Sequence, residues 1–264
     1  MQRRDFLKGL ALASLPITGR ADDTMTLGIY PGTGKADINL YEFRDAAMPF
    51  ARTIAAAVGQ DVSLVLFRSI KNVLSSLEKG RLDAYFVPPT VAVSVLDNNY
   101  SPVARVRDQA TGMLVRRVGE TVSSVALTEK ESWLDVMSRY VIQRSRSTPE
   151  ITNFKTQEDV VLALKNGLVQ AGSLRVTKAT ELLTAGGYET WLNLPATPDF
   201  TLMVSDRYSQ SEQNRIGQAA AAMDATKVQS LQKTIHSKVT GFVIDREADY
   251  KSIKAAMAVS GYLD

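Results

Sequence analysis

The chain has 264 residues, 45% of them hydrophobic, with 31 Lys and Arg against 28 Asp and Glu. That length and apolar content suffice for one large or two modest folded domains and exclude a disordered or fibrous chain. Cysteine is absent and histidine occurs once, which excludes disulfides, thiolate nucleophiles, iron–sulfur clusters, cysteine-ligated zinc and any histidine-rich metal centre.

The first residues combine a basic start, a short apolar run and a small-residue exit, the order that export requires. Arg3-Arg4-Asp5-Phe6-Leu7-Lys8 matches the twin-arginine pattern of two arginines, any residue, then Phe-Leu-Lys. The apolar run 9–19 is interrupted by Pro16 and falls well short of the roughly 20 residues of a membrane-spanning helix, so cleavage is expected. Gly19-Arg20-Ala21 places small residues where a signal peptidase reads, and a mature chain starting at Asp22 in the periplasm is expected. An uncleaved anchor and an amphipathic first helix of an unexported protein are the other readings of this segment. Residues 1–21 hold Arg3, Arg4, Lys8 and Arg20 against Asp5, so without them 31 basic residues become 27 and 28 acidic ones become 27. The sequence pI of about 9.0 thus belongs mainly to the leader, and no nucleic-acid partner is expected.

Residues 25–30, Met-Thr-Leu-Gly-Ile-Tyr, alternate as a strand does and run into a Pro31-Gly32-Thr33-Gly34 loop. Residues 41–58 read as a helix kinked or started near Pro49, and 62–67 as a strand. The helix expected over 69–79 has Ile70, Val73, Leu74 and Leu77 on one face and is ended by Gly80. A third strand at 83–87 enters Pro88-Pro89-Thr90 and a short helix over 91–96. This β-α-β-α-β-α order is that of a parallel sheet.

Extended stretches at 103–106 and 113–116 lead to a second unit. It has a strand at 122–127, a helix over 130–144 opened by a capping box of Thr128 and Glu131, and a helix over 157–165 ended by Gly167. A strand at 168–174 and a helix over 176–183 complete it. Leu77-Glu-Lys-Gly80-Arg-Leu82-Asp83-Ala84 and Leu164-Lys-Asn-Gly167-Leu-Val169-Gln170-Ala171 align as helix, glycine stop and strand opening, which suggests two similar α/β lobes. The tail over 209–264 reads as helical except near 239–244. His236 lies in it as a helix-end surface residue, with no serine near it in a nucleophile-elbow context. There is no P-loop, dinucleotide glycine fingerprint, HExxH or calcium loop, and no cofactor is expected. Gly32-Thr33-Gly34 reads as a plain turn.

Several stretches together resemble one family. They are Ile29-Tyr30-Pro31, Pro49-Phe50, Val58-Gly59-Gln60-Asp61-Val62, the Leu77 to Ala84 stretch running into Val87-Pro88, and Leu164-Lys-Asn-Gly167 running into Ala171-Gly172. The most specific is Gly241-Phe242-Val243 followed by Asp249-Tyr250 and Ile253. These residues resemble the phosphate/phosphite/phosphonate-binding family, a branch of the type 2 periplasmic binding proteins that serve ABC transporters, over most of the mature chain. The resemblance implies an α/β fold of two lobes, each a mainly parallel sheet flanked by helices, with the ligand in the cleft between them. Residues 22–108 and 204–264 are expected in lobe 1 and 109–203 in lobe 2, with crossovers near 105–111 and 198–204. The implied partners are a small-molecule ligand and a transporter permease or sensor kinase, after passage through the twin-arginine translocase.

Open sheets of this kind place loops and helix N-termini at the carboxyl ends of their strands, where ligands and especially anions bind. The residues so placed are Tyr30, Thr33, Thr90, Ser132, Gln157 and Arg175. Tyr30, Thr90 and Ser132 keep family-like chemistry, Gln157 stands where the family usually has a histidine, and Arg175 is best suited to grip an oxyanion bidentately. Each has a plainer reading: Tyr30 packs a strand end, Thr90 caps a helix, Ser132 and Arg175 face solvent. Trp133 either walls a pocket or joins the core. Where the family has a serine- and threonine-rich turn, Glu129-Lys130-Glu131-Ser132 presents two carboxylates that repel an anion. The leading function is delivery of a small ligand, a phosphonate or other oxyanion, to an ABC transporter, without catalysis. The alternative is a ligand-degenerate sensory protein of the same fold that signals to a membrane kinase. With no cysteine and one histidine, only carboxylate chemistry is left to an exported enzyme, and no paired acids stand out.

Overall fold

The computed structural model describes residues 24–32, 39–80, 82–235, 237–245 and 247–263. The export segment, Thr33 and His236 lie outside the described residues. The first unit comprises β1 (Thr24–Ile29), α1 (Leu40–Ala56), β2 (Asp61–Leu66), α2 (Ile70–Glu78), β3 (Ala84–Val87), α3 (Pro89–Leu96) and β4 (Tyr100–Val106). The second comprises β5 (Gly112–Arg117), β6 (Ser124–Leu127), α4 (Trp133–Arg144), β7 (Glu150–Asn153), α5 (Gln157–Lys165), β8 (Ala171–Arg175), α6 (Val176–Thr184) and β9 (Tyr188–Asn193). The chain then returns through β10 (Thr201–Ser205), α7 (Gln210–Ala221), α8 (Ala225–Gln232), β11 (Phe242–Ile244), a 3-10 turn at Glu247–Tyr250 and α9 (Lys251–Val259).

The strands form two sheets, one ordered β11-β4-β10-β3-β1-β2 and the other β7-β6-β8-β5-β9. This is the expected two-lobed α/β architecture. Each sheet is mixed rather than mainly parallel. β1 runs parallel to β2 and β3, and β6 runs parallel to β7 and β8. The strands next to the crossovers run the other way: β10 is antiparallel to both β3 and β4, and β5 to both β8 and β9. A chain that leaves one sheet and comes back must lay its outgoing and returning strands in opposite directions, so the connections themselves supply the antiparallel pairs. Between the sheets, Ala110 and Thr197 exchange backbone hydrogen bonds (2.9 and 3.2 Å) and tie the two crossover segments together.

Local chemistry explains most element ends. Asn39 caps α1 through Tyr41 N, and the helix passes unbroken through Pro49. Proline removes one backbone donor there without ending a 17-residue helix whose buried face carries Phe43, Ala47, Phe50 and Ile54. The capping box expected of Thr128 and Glu131 does not form. Ser132 caps α4 by accepting from Asp135 N at 3.3 Å, and Glu131 sits before it at φ +66°. Asp135 completes the turn by accepting from Glu131 N at 3.1 Å, a shorter loop back than Thr128 could make. α5 ends in a Schellman motif: Gly167 N donates to Leu164 O at 3.1 Å and Leu168 N to Ala163 O at 3.0 Å, with Gly167 at φ +72°. That motif turns Leu168 outward and delays β8 to Ala171. The sequence reading missed β7 and β9, which occupy the two edges of the second sheet and expose much of their polar length.

The lobes share apolar packing. One cluster of buried side chains joins Tyr30, Tyr85 and Val93 of the first unit to Leu114, Trp133 and Met137 of the second, with Ile253 and Met257 of α9 between them. Beyond α9 the chain reaches the second unit, where Ser260 Oγ donates to Val136 O at 3.1 Å and the Tyr262 hydroxyl donates to Asp135 Oδ2 at 2.6 Å. Asp135 is wholly buried and also accepts from Arg139 Nε (2.9 Å) and Asn153 Nδ2 (2.8 Å). Burial and the Asp135 carboxylate push the Tyr262 hydroxyl up to about 12 from 10.0. Because the folded value is the higher one, the stability this bond supplies is present in full below pH 10 and is lost as pH rises through about 12. Tyr262→Phe is expected to lower the unfolding free energy at pH 7 by about 2 kcal/mol, the scale of a hydrogen bond to a charged group, and to flatten the loss above pH 10. Urea unfolding at both pH values checks this, and an unchanged midpoint would show that the tail contributes nothing.

Candidate functional site

The carboxyl ends of β1 and β3 face the start of α4 and the end of β8 across the crossovers. There, Tyr30 and Pro88 from the first unit meet Ser132, Trp133, Gln157 and Arg175 from the second around a cavity of ≈ 30 Å³. Strand ends and helix starts thus supply its walls, as in other open α/β sheets.

Tyr30 continues the register of β1: its N–H donates to Phe86 O at 3.1 Å, and its side chain is buried. The hydroxyl reaches across the cleft and donates to Glu129 Oε2 at 3.3 Å. Burial, reinforced by that carboxylate, holds the phenol well above its ordinary range. Glu129 is itself pushed up by burial, opposed by the Tyr30 bond and by Lys155. Glu131 is raised as well, by burial and by Asp135. Both carboxyls in this turn therefore hold their charge less readily than exposed acids do.

Ser132 lines the cavity, but its hydroxyl is already engaged as the α4 cap and with Thr128 Oγ1 at 2.8 Å. Gln157 opens α5 under a Thr156 cap, and its Oε1 accepts from Arg175 N at 2.8 Å. It thereby fixes the backbone from which the Arg175 side chain departs. The guanidinium stacks over the Trp133 ring at 4.4 Å from its centroid and pairs with both oxygens of Asp199, each at 3.3 Å. Trp133 is anchored in turn by Nε1, which donates to Thr197 Oγ1 at 2.8 Å. Gly112 leaves room for that indole, since a Cβ there would stand 2.7 Å from Leu174 O and 3.1 Å from Trp133 Cζ3.

Four of the six expected site residues, Tyr30, Ser132, Gln157 and Arg175, thus converge on one cavity. Thr90 is the second residue of α3, behind Pro88 and off the cavity wall. It is buried, and its hydroxyl has no partner among the described residues. Thr33 lies outside the described residues. The sequence reading missed Asp199 and Thr197, which the return crossover carries to Arg175 and Trp133. A Pro-Asp-Phe stretch between two strands gave no periodic signal to find them by. Among the described residues no group of three or more His, Asp or Glu side chains could hold a metal ion. The cavity is walled by the Trp133 ring, the Gln157 amide and the Arg175 guanidinium, with the Tyr30 and Ser132 hydroxyls engaged by Glu129 and Thr128.

The family model for the phosphonate periplasmic substrate-binding proteins of ABC transporters matches residues 41–250. The chain belongs to this family. As a substrate-binding protein it shares its fold with several solved structures. One is XAC2383 from Xanthomonas citri bound to ATP, 12% identical with a TM-score of 0.72 over 91% of this chain and 98% of that one. Another is PhnD1 from Prochlorococcus marinus in complex with methylphosphonate, 11% identical with a TM-score of 0.70 over 91% and 99%. A third is the periplasmic aliphatic sulphonate binding protein SsuA from Escherichia coli, 12% identical with a TM-score of 0.59 over 90% of each chain. At these identities the likeness is one of fold. No curated protein sequence matches the chain.

Asp199 is 4% exposed at its side chain and Arg175 17%, so removing the guanidinium strands a buried charge. Arg175→Gln is expected to cost about 3 kcal/mol of stability, and adding Asp199→Asn to recover most of it. A double-mutant cycle by denaturant unfolding measures the coupling. Simple additivity of the two costs would mean that the two side chains do not couple.

Proposed function

We propose that this binding protein is exported by the twin-arginine route, is cleaved after Ala21, and closes its lobes in the periplasm on a small organic oxyanion. It then presents that solute to the permease of an ABC transporter and performs no chemistry of its own. Lobe 1 comprises residues 22–108 and the chain from β10 onward, because Thr201–Ser205 pairs with β3 and β4 in the first sheet, which moves the expected boundary at 204 to before Thr201; lobe 2 comprises the residues between. Tyr30, Ser132, Gln157 and Arg175 are its solute contacts, with Thr90 at the start of α3 behind them and Thr33, outside the described residues, a further candidate from its place in the sequence.

The observation that carries the oxyanion reading is the state of Arg175. Its guanidinium is stacked on Trp133 and paired with Asp199, its backbone is held by Gln157, and it lines a cavity between the lobes, where an acid can compete with the Asp199 carboxylate for the fork. A planar fork fixed in this way matches a phosphonate, sulfonate or carboxylate better than a flexible ammonium would. Thr90 adds a second argument. It is a buried hydroxyl without a partner at the start of a helix whose first turn no side chain caps, and such a turn favours an acceptor. Glu129 and Glu131 weigh less against an anion than their sequence suggests, because burial raises both carboxyls.

Thermal unfolding of the mature protein with methylphosphonate, an alkyl sulfonate, phosphate and an amino acid tests this reading. One of the acids is expected to stabilise the fold by about 2.7 kcal/mol at a hundredfold excess over its dissociation constant. A panel in which only the amino acid acts, or nothing does, counts against an oxyanion solute. For the leader, Lys at both positions 3 and 4 is expected to leave the precursor in the cytoplasm. The native leader should yield a mature chain beginning at Asp22. Periplasmic recovery of the double lysine variant would rule out the twin-arginine route.

A further inference from the structure

The last helix belongs to the first lobe by its place in the chain, yet it is attached to both. Tyr250, which precedes α9, is buried, and its hydroxyl donates to Asp245 and meets Thr201 Oγ1 at the start of β10. That roots the helix where the chain re-enters the first sheet. Within α9, Lys254 Nζ donates to Asp97 Oδ1 at 2.6 Å, at the end of α3. The buried face of the helix carries Ile253, Ala256 and Met257, which join one apolar cluster with Val93 of α3 and Met137 of α4.

The tip of the segment is shaped to reach the second lobe. α9 closes in a Schellman motif: Tyr262 N donates to Met257 O at 2.9 Å and Gly261 N to Ala258 O at 3.1 Å, with Gly261 at φ +76°. The left-handed glycine turns the chain so that the Tyr262 hydroxyl meets Asp135 Oδ2 at 2.6 Å, while Ser260 Oγ donates to Val136 O at 3.1 Å. Both acceptors lie at the start of α4. That same start lines the cavity through Ser132 and Trp133, and Pro88, which precedes α3, lines it from the first lobe. A helix of 9 residues is a rod of about 14 Å. Packed on α3 and pinned to α4, it ties the spacing of two helices whose starts wall the cavity.

We propose that the C-terminal segment 250–263 is a strap between the lobes, rooted at Tyr250 and fastened to α4 by Tyr262 and Ser260, which limits how far the cleft opens. Hinge motion in two-lobed proteins is absorbed by a few loop or strand-end residues, and here the crossovers meet at the Ala110–Thr197 bridge. An attachment that also spans the lobes restrains that motion without touching the solute. The strap is a property of this chain's own contacts and does not depend on the nature of the solute.

The chain holds no cysteine, so Glu78→Cys and Lys165→Cys place two spin labels cleanly. Both positions are exposed, one at the end of α2 in the first lobe and one at the end of α5 in the second. Double electron–electron resonance on the mature protein without solute then reads the distance between lobes. Tyr262→Phe combined with Ser260→Ala is expected to move part of the distribution to longer distances while the far-ultraviolet circular dichroism stays as it was. Tyr262→Phe alone is expected to move a smaller part, and it decides the question if the double variant does not fold. Tyr100→Phe is the control, because it removes a buried bond within the first lobe, to Leu82 O at 2.7 Å, and is expected to leave the distances unchanged. No longer distances in the tail variants, a shift to shorter ones, or the same lengthening in Tyr100→Phe would overturn the strap. The segment would then add stability alone or prop the lobes apart.

Discussion

The contact on which the cleft depends is a guanidinium pressed between an indole and a carboxylate. Arg175 ends the central strand of the second lobe, Trp133 opens the helix beside it, and Asp199 comes from the segment that returns to the first lobe. Each partner removes a different freedom. The ring fixes the plane of the guanidinium, the carboxylate fixes its direction, and the Gln157 amide fixes the backbone that bears it. The Thr197 hydroxyl locks the indole, so two residues of one crossover determine how an arginine and a tryptophan of the second lobe face the cavity. The cluster lies beside the Ala110–Thr197 bridge between the crossovers, so the cavity wall and the junction of the two sheets share the same few side chains.

A second hub, Asp135, lies on the far side of α4. It is a wholly buried carboxylate that accepts hydrogen bonds from a backbone amide, an arginine, an asparagine and the tail tyrosine. A buried charge is tolerated only when its lone pairs are met in this way. The arrangement fastens the C-terminal segment of the chain to α4 of the second lobe. It also positions Ser132, since the same first turn of α4 carries the cap and the carboxylate. Helix start, tail and cavity wall are consequently one connected structure.

The acidic turn over 129–132 takes its meaning from what surrounds it. Glu129 faces a tyrosine hydroxyl from the opposite lobe, and Glu131 adopts a left-handed backbone that aims its N–H at Asp135. Burial raises both carboxyls, so the turn contributes less negative charge to the cleft than two exposed glutamates would. In the sequence these residues stand as a departure from a hydroxyl-rich anion grip. In the structure one of them joins the lobes.

The amino-acid order by itself determined the alternation of strands and helices, because apolar periodicity and glycine stops such as Gly80 and Gly167 are local. The repeated helix, stop and strand pattern suggested two similar lobes, the family resemblance implied the two-lobed class, and the order of elements placed Tyr30, Ser132, Gln157 and Arg175 at strand ends and helix starts. The amino-acid order did not reveal β7 and β9, whose half-exposed polar residues become strands only by pairing at a sheet edge. Nor did it show the antiparallel strands, which arise from the direction in which the chain returns. Asp199, Thr197 and Tyr262 were invisible for the same physical reason. Their partners lie 24, 64 and 127 residues away, and local propensity contains no information about contacts at that separation. Only the tertiary structure decided that an arginine legible as an oxyanion ligand is also stacked on Trp133 and paired with Asp199 of the returning crossover.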